Sequence, residues 1–273
     1  MHEWLNHEPL LRLIPFAAIF LVMVVWEILS PRRTLSINKS YRWFNNLAMV
    51  LVNSMVLRFI FPGAAVGVAV WVESERWGLM NYSPLLDWPL WINAIIGLVL
   101  LDFIIWLQHL LFHKTPVLWR LHRMHHADQD IDVTTGLRFH PLEIILSMVI
   151  KVAAILIFGV PVVAVFLFEV LLNATSMFNH GNVYIPKRLD RILRWFIVTP
   201  DMHRVHHSWH QDETNSNFGF NLPLWDRLLG TYKDQPRDGH HKMTIGINQF
   251  RAYEDLRIDR LLLQPFSNTD DLT

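Results

Sequence analysis

IILSMVIKVAAILIFGVPVVAVFLFEVLL, Ile144 to Leu172, is an apolar run of 29 residues with Gly159-Val160-Pro161 at its middle. As one continuous helix it would cross a bilayer and carry everything after it to the far side. As two arms about the Gly-Val-Pro break it goes in and comes back. Pro161 does not comfortably continue a helix, which favours the bend. Each arm of about 15 residues would be roughly 22 Å long, short of a ~30 Å hydrocarbon core. Either a re-entrant or a spanning, tilted hairpin fits.

Three other apolar stretches lie upstream: about Leu10–Leu29, about Leu47–Val72 (interrupted by Arg58 and Pro62-Gly63) and about Leu90–Phe112. Each is long enough to span. Lipid offers no partners for backbone polar groups, so helices are expected. Composition agrees: 52% hydrophobic residues, 12 Trp, 17 Phe and only 18% charged residues, against roughly 25% charged in a soluble domain. Mean hydropathy is +0.25. The expected fold is an all-α integral membrane bundle of three spans plus the hairpin, with a histidine-rich helical lobe. It is read as one membrane-embedded domain over residues 1–273. Zero formal net charge gives no reason to expect a nucleic-acid partner, and the absence of Cys excludes disulfides, thiolate zinc and iron–sulfur sites. Met1 to Pro9 has no basic n-region or small-residue cleavage site, so the first run is read as a retained span.

Basic residues set the expected orientation. Arg32, Arg33, Lys39 and Arg42 follow the first run, and Lys114, Arg120, Arg123 and Arg138 follow the third. Glu73–Pro89 holds only Arg76. The positive-inside rule puts the first two groups in the cytoplasm and the N-terminus outside.

Histidine is the compositional outlier, with 15 residues, mostly in tight groups. His109-Leu-Leu-Phe-His113 ends the third run. His122-Arg-Met-His125-His126 and His203-Arg-Val-His206-His207 are two copies of H-x-x-H-H. Spacings of i, i+3 and i+4 put each group on one helix face. A single histidine near an interface is usually an ordinary polar residue. Eight at these spacings have little structural use together, and would repel one another if protonated. Neutral imidazole is a good ligand for iron, zinc, copper and nickel, so a metal site is the expected reading. The three boxes share one site only on the same side of the membrane. The Ile144–Leu172 run must therefore return.

These boxes resemble the fatty acid hydroxylase superfamily, which includes the sterol desaturases. The likeness extends to Arg138-Phe-His140-Pro141-Leu-Glu143, Phe178-Asn179-His180-Gly-Asn182, Glu213–Asn221 and Leu224-Trp225-Asp226-Arg227-Leu-Leu-Gly230-Thr231-Tyr232. It covers about residues 90 to 235, which would form the catalytic core. It implies two iron ions, O2 as co-substrate, and C–H hydroxylation or desaturation of a fatty acyl, sterol or related lipid drawn from the bilayer. It implies nine ligands: His109, His113, His122, His125, His126, His180, His203, His206 and His207. Some members carry a further histidine where this chain has Ser176, so one ligand is missing or replaced by water. With no G-x-G-x-x-G signature and no haem-attachment motif, electrons would come from a separate redox protein. Imidazoles alone also accept zinc. A zinc-dependent membrane hydrolase or isomerase, and a non-catalytic metal sensor or transporter, are the rival readings. The compact chain suggests a bacterial inner membrane, with the site facing the cytoplasm.

Asp102, Glu143 and Asp201 are candidates to orient the imidazoles from behind, with Asp128, Asp132 and Asp226 as further acids. An acid inside a span, as Asp102 is, usually has a purpose. His140 is expected to support the site or to be structural rather than to ligate. Arg123 and Arg204 are expected to face lipid phosphates or to pair with the acids. His210, His240, His241, His2 and His7 are read as lying off the site, with His240 and His241 solvated in a peripheral tail after Gln235. Ile185–Phe196 mixes basic and apolar residues at helical spacing, as either a membrane-surface helix or a buried amphipathic one.

Overall fold

The computed structural model describes residues 5, 7–82 and 88–268; His2 lies outside them. As expected the chain is all-helical. Among the described residues the only β contacts are isolated bridges, Pro31–Val183 and Ser208–Ile245.

Five segments are long and apolar enough to span a membrane. Helix α1 is Glu8–Leu29, α2 Lys39–Ile60, α3 Ala64–Ser74 and α4 Leu90–Lys114, with α2 and α3 both inside the second segment, Lys39–Asn81. After the short α5, Pro116–His126, come the hairpin arms α6, Pro141–Phe158, and α7, Val162–Asn179. Large apolar side chains on the outer faces are exposed, among them Ile14, Leu21 and Ile28 of α1 and Leu51, Met55 and Phe59 of α2. That is the surface of an integral membrane protein, whose lipid solvent is as apolar as the side chains.

The Gly-Val-Pro break is the hairpin turn. Gly159 closes α6 in the left-handed conformation (φ 70°), and α7 starts directly after Pro161. A Cβ on Gly159 would lie 2.6 Å from Asn81 Nδ2 and 2.7 Å from the Trp77 carbonyl, so the turn is wedged against the chain leaving α3. Each arm has 18 residues, about 27 Å at 1.5 Å per residue, longer than the sequence run implies and close to a full crossing. Across the hairpin Lys151 Nζ meets Glu169 Oε1 at 2.7 Å, and Arg12 Nη2 of α1 meets Glu169 Oε2 at 2.5 Å. This buried ion network ties α1 to both arms.

The run read as a single span from Leu47 to Val72 is two helices. It breaks at Phe61-Pro62-Gly63, where Pro62 cannot join a continuous hydrogen-bond ladder. Helix α2 also starts eight residues before that run, at Lys39. One face of it is polar: Arg42, Asn45, Asn46 and, farther along, Asn53 are buried.

The histidine-rich lobe holds α5 and the short helices α8 (Lys187–Leu193), α9 (Pro200–His206), α10 (Gln211–Thr214), α11 (Leu224–Leu228), α12 (Gly239–Lys242) and α13 (Ile258–Leu263). Of the two readings for Ile185–Phe196, the buried amphipathic helix is excluded. Leu189, Ile192, Trp195 and Phe196 are all exposed, and the helix is confined to α8. The tail is not peripheral either. Leu261 of α13 packs on Met49 and Met124, and the carbonyls of Gln264, Pro265 and Ser267 accept hydrogen bonds from Arg120 and Arg123 of α5. Arg123 therefore points into the protein rather than at lipid phosphates.

Candidate metal centre

Box one rides on the last turns of α4. Thr115 then turns extended (φ −108°, ψ 116°), the conformation that Pro116 imposes on the residue before it. The chain doubles back as α5, and box two lands on box one. Box three is the last turn of α9, started by Pro200 and capped by Thr199, whose hydroxyl accepts from Met202 N. His180 caps the end of α7.

The structure brings all nine expected histidines together in two groups. His109, His113, His122, His126 and His206 have ring nitrogens within 4.8 Å of one another, and so do His125, His180, His203 and His207. The groups abut, with the His126 and His207 rings stacked at 4.5 Å between centroids. All nine are buried except His113, which is half-buried.

Five rings have their protons fixed by acceptors. Nδ1 of His109 donates to the Phe218 carbonyl (2.7 Å) and that of His125 to the Arg138 carbonyl (3.0 Å). Nδ1 of His180 donates to the Ser176 carbonyl (2.7 Å) and that of His206 to the Ser216 carbonyl (2.7 Å). Nδ1 of His122 meets Glu143 Oε1 at 2.7 Å. A carbonyl can only accept, so Nδ1 carries the hydrogen and Nε2 keeps its lone pair. Yet Nε2 of His109 faces Nε2 of His122 at 3.1 Å, and Nε2 of His125 faces Nε2 of His180 at 3.1 Å. Two lone pairs cannot hydrogen-bond each other. Two imidazoles at right angles on one metal, with bonds of about 2.0–2.1 Å, place their nitrogens ~3 Å apart. One such pair lies in each group. Nε2 of His113, His126, His206 and His207 are buried without partners, as ligand atoms would be.

Burial first, and neighbouring imidazoles second, push His125, His126, His203 and His207 well below the usual histidine range. Burial likewise brings His180 down to about 4 and His206 to about 3. These six are neutral at physiological pH, the state a metal needs.

The supporting acids divide. Glu143 is the one candidate that touches a box histidine. Asp102 does not; it accepts from Asn221 Nδ2 (2.8 Å) and Trp225 Nε1 (2.7 Å). Asp226 accepts from the Phe218 and Gly219 amides and from Trp106 Nε1. Both acids thus hold the 217–221 loop, whose Phe218 carbonyl orients His109. Asp201 pairs with Arg32 and Arg204, so box three's arginine, too, faces protein. His140 is structural: its Nδ1 caps α6 by accepting from Leu142 N, and its Nε2 contacts the Leu262 carbonyl. His210 meets Asp238 at the surface. His240 is buried, 3.6 Å from Asp201, not solvated as expected; His241 is exposed. Ser176 turns its hydroxyl to the Gly136 carbonyl, and its own carbonyl orients His180.

Sequence reasoning passed over the anchor of box two. Arg42, read as a loop charge, is fully buried and grips Asp128 with two nitrogens (2.8 and 2.7 Å) and Asp132 with a third (2.6 Å). Its signal was the polar stripe Arg42–Asn46 and Asn53 on a helix leading into an apolar run.

A cavity of about 570 Å³ opens beside this centre, lined by His109, His122 and Glu143 and also by Arg12 and Glu169. Leu13, Phe16, Ile19, Leu57, Ile105 and Leu172 supply apolar wall.

Residues 94–231, half of the chain, match the family model described as fatty acid hydroxylase. The chain belongs to the fatty acid hydroxylase family. Within it, an ornithine lipid hydroxylase, OlsE, of Rhizobium tropici is 34% identical over 66% of this chain and 52% of its own length. Alkylglycerol monooxygenase of Homo sapiens is 27% identical over 67% of this chain and 38% of its own. Cholesterol 25-hydroxylase of Mus musculus is 27% identical over 70% and 61%. The matched stretch thus spans about half or less of the first two relatives and under two thirds of the third. No solved structure gives a significant match. The chain is thus a family member with two histidine clusters able to hold metal.

Proposed function

We propose that this protein is a membrane-bound, O2-dependent lipid hydroxylase or desaturase, with His109, His113, His122, His126 and His206 holding one iron ion and His125, His180, His203 and His207 a second. The facing Nε2 lone pairs in each group carry this reading, because a cation between them is what reconciles their spacing with their tautomers. A bound iron pair supplies the power to activate O2 against an unactivated C–H bond. The chain's own part is to fix each ring through a carbonyl or Glu143, to keep the imidazoles neutral, and to lead a lipid from the bilayer along the cavity to His109 and His122. The relatives' names speak for oxidation of a lipid, and for hydroxylation over desaturation. Residues 90–235 form the catalytic core of one membrane-embedded unit, since α1 and α2 wall its cavity. Electrons come from a separate redox protein. Lys114, Lys187, Arg188 and Arg191 on the histidine side support a cytoplasmic site, in a bacterial inner membrane.

The test is the metal content of detergent-purified protein beside His206→Ala. About two irons per chain, reduced in the variant, is the expected result. Zinc-loaded protein would be stripped and reconstituted with iron before assay. Metal content unchanged by His206→Ala would sink the shared-site reading.

A further inference from the structure

The cavity wall nearest the histidines is not plain hydrocarbon. Asn53 (7% exposed), Gln108 (9%) and Glu143 (4%) all line it. Asn53 Nδ2 donates to the Phe139 carbonyl at 2.8 Å, which fixes the amide and leaves Oδ1 without a partner. Glu143 spends Oε1 on His122, and its Oε2 is unpartnered. Gln108, the residue before His109, has an unpartnered Oε1. Three buried acceptors thus line the cavity that His109 and His122 also line. The charged residues of the wall are paired with one another: Arg12 and Lys151 both meet Glu169, and Arg12 also meets Glu8. These two cations and two carboxylates balance in charge.

A methylene chain packed against the first wall would leave the acceptors dry and unpaired, which is costly in a buried site. A group bearing N–H or O–H would satisfy them. We infer that the lipid taken by this cavity carries hydrogen-bond donors beside the carbon it presents to His109 and His122. It is an amino-, amide- or hydroxyl-headed amphiphile lying head-first toward the histidines, with its tail along Phe16, Ile19, Leu57 and Leu172. Which carbon is oxidised rests on the oxygenase reading above; the recognition rests on the cavity alone. A site built to hydrogen-bond a substrate rejects the analogue that lacks the donor far more strongly than an apolar pocket rejects a missing methylene.

Two probe pairs test this with the full chain, iron-loaded, in nanodiscs. One is 1-O-hexadecylglycerol and its di-O-methyl ether. The other is N-hexadecylacetamide and its N-methyl derivative. Affinity is read from the rise in unfolding midpoint with lipid mole fraction. Each donor-bearing parent is expected to bind about tenfold or more tightly than its methylated twin. Asn53→Leu should bring that ratio close to one. Gln108→Met, which removes an oxygen with no partner in the fold, should lower it and guards against misfolding of the first variant. Equal binding of parent and twin to the wild type overturns the inference, as does a ratio that neither substitution moves. O2-dependent product, measured on the same samples, separates the two readings. A binding preference without product counts against the oxygenase and leaves donor recognition standing. Equal oxidation and equal binding of both twins does the reverse.

Discussion

Replacing Arg42 with Met should cost more than any surface change in this protein, and the cost should depend on pH in a specified direction. Arg42 is fully buried and makes three hydrogen bonds to the carboxylates of Asp128 and Asp132, both fully buried as well. Without it, Asp128 keeps only Arg138, at 3.6 Å, as an ion-pair partner. Breaking a buried pair from one side costs about 3–5 kcal/mol, because a charge is stranded; here Asp132 loses its ion-pair partner and Asp128 keeps only the longer of its two. Loss of that size lowers an unfolding midpoint by on the order of 10 °C. Burial pushes the Asp128 carboxyl up, but Arg42 and Arg138 together outweigh it and hold it at about 2. The folded value lies below that of an unfolded Asp, near 3.9. The wild-type contribution is therefore complete above that value and is lost only as pH falls through about 2. In Arg42→Met the balance reverses. With Arg42 gone, burial is the larger influence on Asp128 and favours its neutral form, so the folded variant binds a proton there more readily than its unfolded chain and gains stability as pH falls. Thermal unfolding by circular dichroism, in detergent at matched metal load, should show a large gap between the two proteins near pH 7.5 and a smaller one near pH 5. A gap below about 1 kcal/mol, or one that widens with acid, would refute the account.

Glu143→Gln keeps the shape but weakens the grip on His122 Nδ1; metal affinity should fall about 10- to 100-fold, read by chelator competition, with helix content unchanged. Gly136→Ala places a Cβ 2.3 Å from the Ser176 carbonyl and 3.0 Å from His180 Nδ1. It should displace His180 and cost the His125–His180–His203–His207 group its metal first, leaving about half the wild-type content; full occupancy would contradict that grouping.

The parts legible in the sequence were those with a local cause. Gly159-Val160-Pro161 dictates the hairpin turn, and i, i+3, i+4 spacing the facing of the imidazoles; Thr115-Pro116, which sets the elbow between the first two boxes, is equally local but was passed over. The acceptors that orient them were not legible. The Phe218, Arg138, Ser176 and Ser216 carbonyls are backbone atoms, which every residue has, so only tertiary position singles them out. Arg42 and His240 were misplaced because a charged or polar residue outside an apolar run reads as solvated, while burial depends on partners distant in the chain. One long-range signal was readable. Lys151 and Glu169 each lie nine positions from Val160. Opposite charges equidistant from a turn meet only if the chain doubles back; in one straight helix they would be roughly 27 Å apart.

The doubled-back chain has a consequence for how the protein is made. His122 and His125 emerge from the ribosome before the hairpin, and His180, His203 and His206 only after it. Neither histidine group can close until α6 and α7 have been inserted and have returned the chain to its starting side. Completion of both groups is thereby tied to completed membrane insertion: a chain that stalls with one arm in the bilayer strands its last histidines across the membrane from the first, leaving the first group without His206 and the second with His125 alone.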